Sequence, residues 1–387
     1  MVNIALIYFP YSGEIIYKFL NNLILILNPI CDNITIIGAN TNKLTINPSK
    51  VRTKPIKFSM HKLNYISPKL LSIFIWIIKL ILIQILQSYE LIKERNNYEI
   101  VIFYMAYPYF LIPLISAKFI GKKTMEVVTR SPSQSNLSKI LSLQDYLFFE
   151  LLDGISPESN GLLKLYNINY EEKILPEGSR YIDTKKYFIA NTYKERAKCV
   201  GYIGRITQKK GVIEFIDAIK IIALKKKDIS FIIIGSGDLL PWVQKECQLI
   251  RNELNVNILI TGYIEDDEIP FYLNKLKLLV LPTQHSEGLP TIILEAIFCG
   301  TPVLTTEIGA ISDVVIDNLT GYFLENTKKE NLAKMIIEIL ERENLEFIIK
   351  NAHDIVEGKF SYTHTVERWE NILEIMKKKD EIKLLKT

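Results

Sequence analysis

The chain has 387 residues, 48% of them hydrophobic and 23% charged; that is long for one ordinary core, right for two, and too apolar for a disordered chain. Net charge is +4, but residues 1–190 hold 21 Lys+Arg against 14 Asp+Glu (+7) and the remainder 26 against 29 (−3). The basic residues sit in no nucleic-acid recognition motif, and four scattered cysteines (Cys31, Cys199, Cys247, Cys299) argue against a disulfide framework or a structural zinc site.

Short apolar runs alternate with helical patterns throughout, the signature of parallel sheets with crossover helices. In the first half the strands read as Ile4–Phe9, Ile34–Gly38, Ile100–Tyr104 and Thr124–Thr129. The chain enters the first of them without the basic region and cleavage site of a signal peptide, and with its cysteine usage this predicts a cytoplasmic location. Between them lies Leu70–Leu86 (LLSIFIWIIKLILIQIL), at the lower length limit for crossing a bilayer. Lys79 at its centre would cost about 3 kcal/mol there. Three readings stand: a transmembrane helix, a buried domain helix, and a helix dipping into one membrane face. The basic excess between Lys50 and Arg95 suits an anionic membrane or, more plainly, a solvated basic face.

In the second half the strands read as Cys199–Ile203, Phe231–Gly235, Ile258–Thr261, Leu278–Leu281 and Val303–Thr305. The domain boundary falls in the polar stretch between Tyr181 and Lys198, which gives an N-terminal domain of 1–190 carrying the apolar and basic region 50–95, and a C-terminal domain of 191–360. Residues 361–387 form a closing helix, with Val366, Trp369, Ile372, Leu373 and Ile375 at helical spacing, which packs back on the first domain. Two such open sheets bind ligands beyond the carboxyl ends of their strands.

Four segments carry chemistry. In LPTQHSEGLPTIILEAIFCG (Leu281–Gly300), Pro290 suits the first turn of a helix that opens at Thr291, after a loop at Gly288–Leu289. The N–H groups of Thr291 and Ile292 are then positioned for an anion. Glu287 would lie near the reacting group, and Glu295, one turn in, could chelate a vicinal diol such as ribose; unrelated surface acids are the plain alternative. In GYIGRITQKKGV (Gly201–Val212), Arg205 and Lys210 follow the strand end at Gly204. A planar guanidinium fork and a point charge are a natural clamp for a diphosphate, though a solvated turn has the same composition. In FIIIGSGDL (Phe231–Leu239), Gly235 and Gly237 mimic a dinucleotide fingerprint, but Pro241 and Trp242 follow where its third glycine belongs, so a dehydrogenase is rejected. At Gly262–Tyr263 a strand ends, and Glu265, Asp266 and Asp267 read as capping and dipole partners of the next helix.

Together these segments resemble glycosyltransferase family 4. The shared motifs are Gly204-Arg205 with Lys210-Gly211, Ile234-Gly235-Ser236-Gly237, Gly262-Tyr263, Pro282 to Glu287-Gly288, the Glu287–Glu295 pair, and Asn318 to Gly321. The resemblance is specific over residues 199–325 and weaker in the first half, where Gly13 and Ile174-Leu175-Pro176-Glu177-Gly178 match in part. It implies the GT-B fold: α/β, two Rossmann-like α/β/α domains facing each other across a cleft. It implies a retaining hexosyltransferase that needs neither cofactor nor metal and uses a nucleotide-diphosphate sugar. In that setting Arg205 and Lys210 bind the diphosphate, Glu295 the ribose and Glu287 the transferred sugar. Tyr263 lies against the base, and Gly13 approaches from the other domain. Relatives often carry a His beside the donor sugar where this chain has Arg130, which we assign to the acceptor side, and the usual late Gly-Gly is Gly309-Ala310 here. The expected acceptor is a glycan or lipid-linked saccharide at the inner face of the cell membrane. A soluble acceptor, a nucleotide-sugar epimerase and a silent nucleotide-binding protein are the alternatives.

Overall fold

The computed structural model describes residues 2–8, 14–38, 41, 44, 49–56, 69–104, 110–129, 146–166, 171–178, 180–285 and 288–384. They divide into two compact units, Met1–Tyr181 with Tyr362–Thr387, and Ile182–Ser361.

The first unit holds six parallel strands: β1 (Val2–Tyr8), β2 (Cys31–Gly38), β3 (Val51–Pro55), β4 (Ile100–Tyr104), β5 (Lys123–Val128) and β6 (Gly154–Pro157), in the order β3-β2-β1-β4-β5-β6. Residues Ile4 to Tyr8 of β1 are all fully buried, because helices cover both faces; a parallel sheet therefore reads as unbroken apolar runs. One face carries α1 (Glu14–Leu27), whose Leu20, Ile24 and Leu27 meet Trp369 and Ile372 in a shared core. The other carries α2 (Lys69–Lys93), α3 (Leu111–Phe119) and the helical residues 146–151, packed through Leu80, Leu114 and Phe148. A short α4 (Asn160–Tyr166) follows β6.

The second unit repeats the plan with β7 (Cys199–Ile203), β8 (Ser230–Ile234), β9 (Ile258–Gly262), β10 (Leu278–Leu281), β11 (Val303–Thr305) and β12 (Tyr322–Phe323), all parallel, in the order β12-β11-β10-β7-β8-β9. Counted from its own first strand this is again 3-2-1-4-5-6, the doubly wound order, in which the strand order reverses between β7 and β10. Its helices are α5 (Val212–Lys225), α6 (Leu240–Leu254), α7 (Ile269–Leu273), α8 (Thr291–Phe298), α9 (Lys329–Leu340) and α10 (Leu345–Phe360). The final helix α11 (Tyr362–Leu384) belongs to the first unit, where Trp369 is fully buried.

Three strands escaped the sequence reading. β3 (VRTKP) is a half-exposed edge strand with little apolar content, β6 is four residues long and β12 two. The division falls at the start of the polar stretch 181–198, so that stretch belongs to the second unit, which begins at Ile182 and not at residue 191. Ile182 N–H bonds the Phe360 carbonyl at 2.8 Å, and Arg196 is buried to 6% exposure.

Candidate functional site

In an open doubly wound sheet the ligand crevice lies outside the carboxyl ends of the strands, where the order reverses. In the second unit that point is the β7–β10 pair, in register at Val200–Leu278 and Gly201–Leu279. Its two loops are the basic turn after β7 and the 282–290 segment after β10, so the topology brings together what the sequence separates by some seventy residues.

The basic turn after β7 meets the turn after β8 backbone to backbone. Gly204 N–H donates to the Ile234 carbonyl at 3.0 Å, and Ile206 N–H to that of Ser236 at 2.9 Å. Gly235 has φ +142°, and a Cβ there would lie 1.8 Å from the Gly204 carbonyl oxygen, so no side chain fits. The Gly237 backbone passes under Ile206 in the same way, with Leu239 N–H bonded to the Ile206 carbonyl at 3.2 Å. The glycine pair read as a false dinucleotide signature thus clamps the basic turn in place.

Arg205 is exposed, and its carbonyl accepts hydrogen bonds from the Tyr202 hydroxyl at 2.7 Å and the Thr207 N–H at 3.0 Å. Lys210, half-buried, ends the 3-10 turn Gln208–Lys210, with its N–H on the Thr207 carbonyl at 3.1 Å. Gly211 then takes a left-handed φ of +72° to start α5, with its Cβ position 2.0 Å from the Pro282 carbonyl oxygen. The Lys209 carbonyl accepts from Gln284 N–H at 3.0 Å, and Thr283 is held in turn by the Thr306 hydroxyl, which donates to its carbonyl at 2.6 Å. The cationic turn and the loop leading to α8 are therefore one fastened piece.

α8 points the positive end of its dipole at this edge. Its N-cap is Pro290 (φ −64°, ψ 123°), without a side-chain cap hydrogen bond, so Pro290 precedes the helix and does not occupy its first turn as the sequence reading had it. Gly288 is half-buried, Leu289 buried, and Thr291 opens the helix. Glu295, one turn in, is only 5% exposed. Burial first, and then the Glu295 carboxylate, push the Tyr187 phenol above its usual range, while the Tyr187 hydroxyl makes no hydrogen bond of ordinary geometry. At the other end of α8 the Arg196 guanidinium donates to the carbonyls of Cys299 (2.6 Å), Leu276 (3.0 Å) and Asn191 (3.1 Å) and to the Thr301 hydroxyl (2.9 Å). Burial pulls its pKa below the usual arginine value, and the partial negative charge of the helix C-terminus answers the cation. The sequence gives no sign of either partner: Tyr187 and Arg196 lie in a polar stretch without periodicity.

Tyr263 is 66% exposed beside Gly262, whose carbonyl accepts the Gly235 N–H at 2.9 Å. The acids after it do not cap α7 as expected: its N-cap is Glu268, with no side-chain cap bond, and Asp267 pairs with Lys186 at 2.7 Å. Gly309, on the neighbouring strand end, has φ +64°, and Ala310 beside it is fully buried. Glu287, Gly13 and Arg130 lie outside the described residues.

Residues 183–356 match the family described as Glycosyl transferases group 1. Among curated proteins, the capsular polysaccharide biosynthesis glycosyltransferase CapM of Staphylococcus aureus is 31% identical over 183 residues, 47% of either chain. The lipopolysaccharide 1,2-N-acetylglucosaminetransferase of Salmonella typhimurium is 26% identical over 222 residues, 52% of this chain and 58% of that one. The chain thus spans about half the length of the curated relatives it matches. Among solved structures, Anabaena HepE in complex with UDP superposes with a TM-score of 0.73 at 16% identity, covering 96% of this chain and 99% of that one. That likeness, with the two parallel sheets, gives the chain the GT-B fold of two Rossmann-like α/β/α units.

Proposed function

We propose that the chain is a glycosyltransferase that takes a sugar from a nucleotide-diphosphate donor with retention of configuration and without a metal ion or other cofactor. Its acceptor would be a glycan or lipid-linked saccharide at the inner face of the cytoplasmic membrane. The observation that carries the reading is the fastening of the Arg205–Lys210 turn to the segment before α8, through Gln284 N–H on the Lys209 carbonyl. It holds the backbone of the turn that carries Arg205 and Lys210 beside the segment leading to α8, which supports a guanidinium, an ammonium and a helix N-terminus acting together on a departing diphosphate.

In the reaction the acceptor hydroxyl would attack the anomeric carbon on the face the diphosphate leaves, while the bond from that carbon to the phosphate oxygen breaks. The acceptor proton goes to the departing phosphate, so the protein supplies position and charge and not a strong base. Glu295 suits the ribose hydroxyls: a carboxylate so near a phosphate site would repel phosphate but accept from a diol. Glu287 and Gly13 would meet the donor sugar, Tyr263 the base, and Arg130 the acceptor. CapM and the Salmonella enzyme are named for surface-polysaccharide work, and HepE was solved with UDP, which supports the donor and acceptor classes chosen.

Two measurements test this. Thermal unfolding against a panel of nucleoside diphosphates and nucleotide sugars should find at least one that raises Tm. With that donor, Lys210→Ala should lower turnover about a hundredfold or more; near-normal turnover would remove the diphosphate role. A requirement for a divalent ion would overturn the metal-free mechanism.

A further inference from the structure

We propose that the outer helical layer of the N-terminal unit seats the chain on an anionic lipid bilayer, with α2 lying in the interface and not across it. The inference deepens the membrane part of the reading above, but stands on observations away from the donor crevice.

At 100° per residue the side chains of α2 fall into two arcs. The inner arc, with Leu80, Ile83, Gln87 and Leu91, is buried on the sheet. The outer arc runs from Phe74 to Ile92 and carries nine large apolar side chains that are 40–61% exposed, Ile78, Ile81, Ile85 and Tyr89 among them. α3 adds Ile115 at 52% and Phe119 at 88%, and the helical residues 146–151 add Tyr146 at 56%. All three helices pack on the same face of the sheet, so their outer sides form one layer. Exposed large apolar side chains gathered on one face in this way mark an interaction or membrane site.

Charge selects the occupant. From Asn33 to Arg95 the chain holds ten Lys and Arg against two Glu, of which Glu94 pairs with Lys54 at 2.6 Å. At the end of the stripe the Lys93 ammonium lies over the Tyr89 ring, 5.9 Å from its centroid, with Arg95 exposed beyond it. An apolar stripe flanked by cations fits the headgroup boundary of anionic lipids. A second copy of the chain would set this basic run against another of the same sign.

The inner arc decides orientation. α2 is long and apolar enough to span a bilayer by composition. Yet buried Gln87 donates from Nε2 to the Tyr8 carbonyl at 3.2 Å, and Gln84 Oε1 accepts the Ile112 N–H at 3.2 Å. A crossing helix would break both bonds and turn Gln84, Gln87 and Ser88 toward hydrocarbon, where unpaired polar groups are costly.

The test uses the full chain and vesicles of phosphatidylcholine, either alone or with about a third phosphatidylglycerol. Without any nucleotide, the chain should float with the anionic vesicles and much less with the neutral ones. Ile81→Glu with Ile85→Glu should lower the bound fraction about tenfold or more, with unfolding and nucleotide stabilisation unchanged. The four native thiols are buried, so nitroxides on Ile78→Cys, Ile85→Cys and Tyr89→Cys label selectively, and all three should report one shallow depth. Depth graded along the helix would overturn the in-plane seat. Failure to float, or equal binding to both vesicles, would overturn the anionic-bilayer assignment, as would a dimer that the two Glu substitutions dissolve. None of these readouts depends on sugar transfer, so a failed transferase reading and a failed membrane seat remain distinguishable.

Discussion

The helices α2 and α5 each cover a six-stranded parallel sheet of the same strand order, and they treat their outer faces in opposite ways. α5 buries Phe215, Ile216, Ile219 and Ile222 and turns Lys220 outward to Asp217 (3.3 Å) and Glu246 (2.9 Å), as a helix facing water does. α2 buries a similar stripe but turns a second apolar stripe outward. In the second unit the turns after β7 and β8 touch through glycine backbones, and the first of them carries Arg205 and Lys210. One fold plan thus carries two kinds of outer face, and its exposed side chains, not its topology, tell them apart.

The largest expected effect breaks the comparison at the strand ends. Gly235→Val forces a side chain against the Gly204 carbonyl and should destabilise the second unit by about 3 kcal/mol or more. Gly121→Ala in the first unit also sits at positive φ (+71°), but with nothing within 4 Å, and should cost only about 1 kcal/mol. Chemical denaturation of both variants checks this, and equal losses would mean that the clamp is not what holds the basic turn. Next, if Glu295 is the charged acceptor of the ribose diol as proposed, Glu295→Ala should weaken donor binding about tenfold or more by calorimetry; unchanged affinity would count against the ribose role.

A smaller effect belongs to the first unit. Burial would raise the Asp153 pKa, but the Lys118 ammonium at 2.6 Å and the Thr124 N–H at 2.9 Å outweigh it and hold it below the ordinary 3.8. A depressed carboxylate adds stability above its unfolded value and loses it as pH falls through the folded one. Asp153→Asn should therefore cost about 1–2 kcal/mol at neutral pH, and its denaturation midpoint should converge with that of the parent chain below pH 3.8. Smallest of all, Lys226→Ala breaks only the solvent-facing pair with Glu341 and should leave the midpoint unmoved.

Nine of the twelve strands among the described residues were legible as apolar runs, and so was the alternation with helices, because a doubly covered parallel strand is apolar along its whole length. The missed strands β3, β6 and β12 are short or lie at an edge, where neighbours rather than composition make them strands. The 182–198 segment misled for a related reason: its polarity suggests solvent, yet Arg196 is buried among carbonyls supplied by residues up to a hundred positions away.

By itself the sequence determined the α/β class, the run of glycine turns and the residue types fit for a diphosphate, since each depends on local pattern and side-chain chemistry. Only the tertiary structure decided that the basic turn is fastened to the segment before α8, that Tyr187 faces Glu295, and which side of α2 looks outward. Those are relations between distant parts of the chain, set by strand order and burial, and no local pattern encodes them.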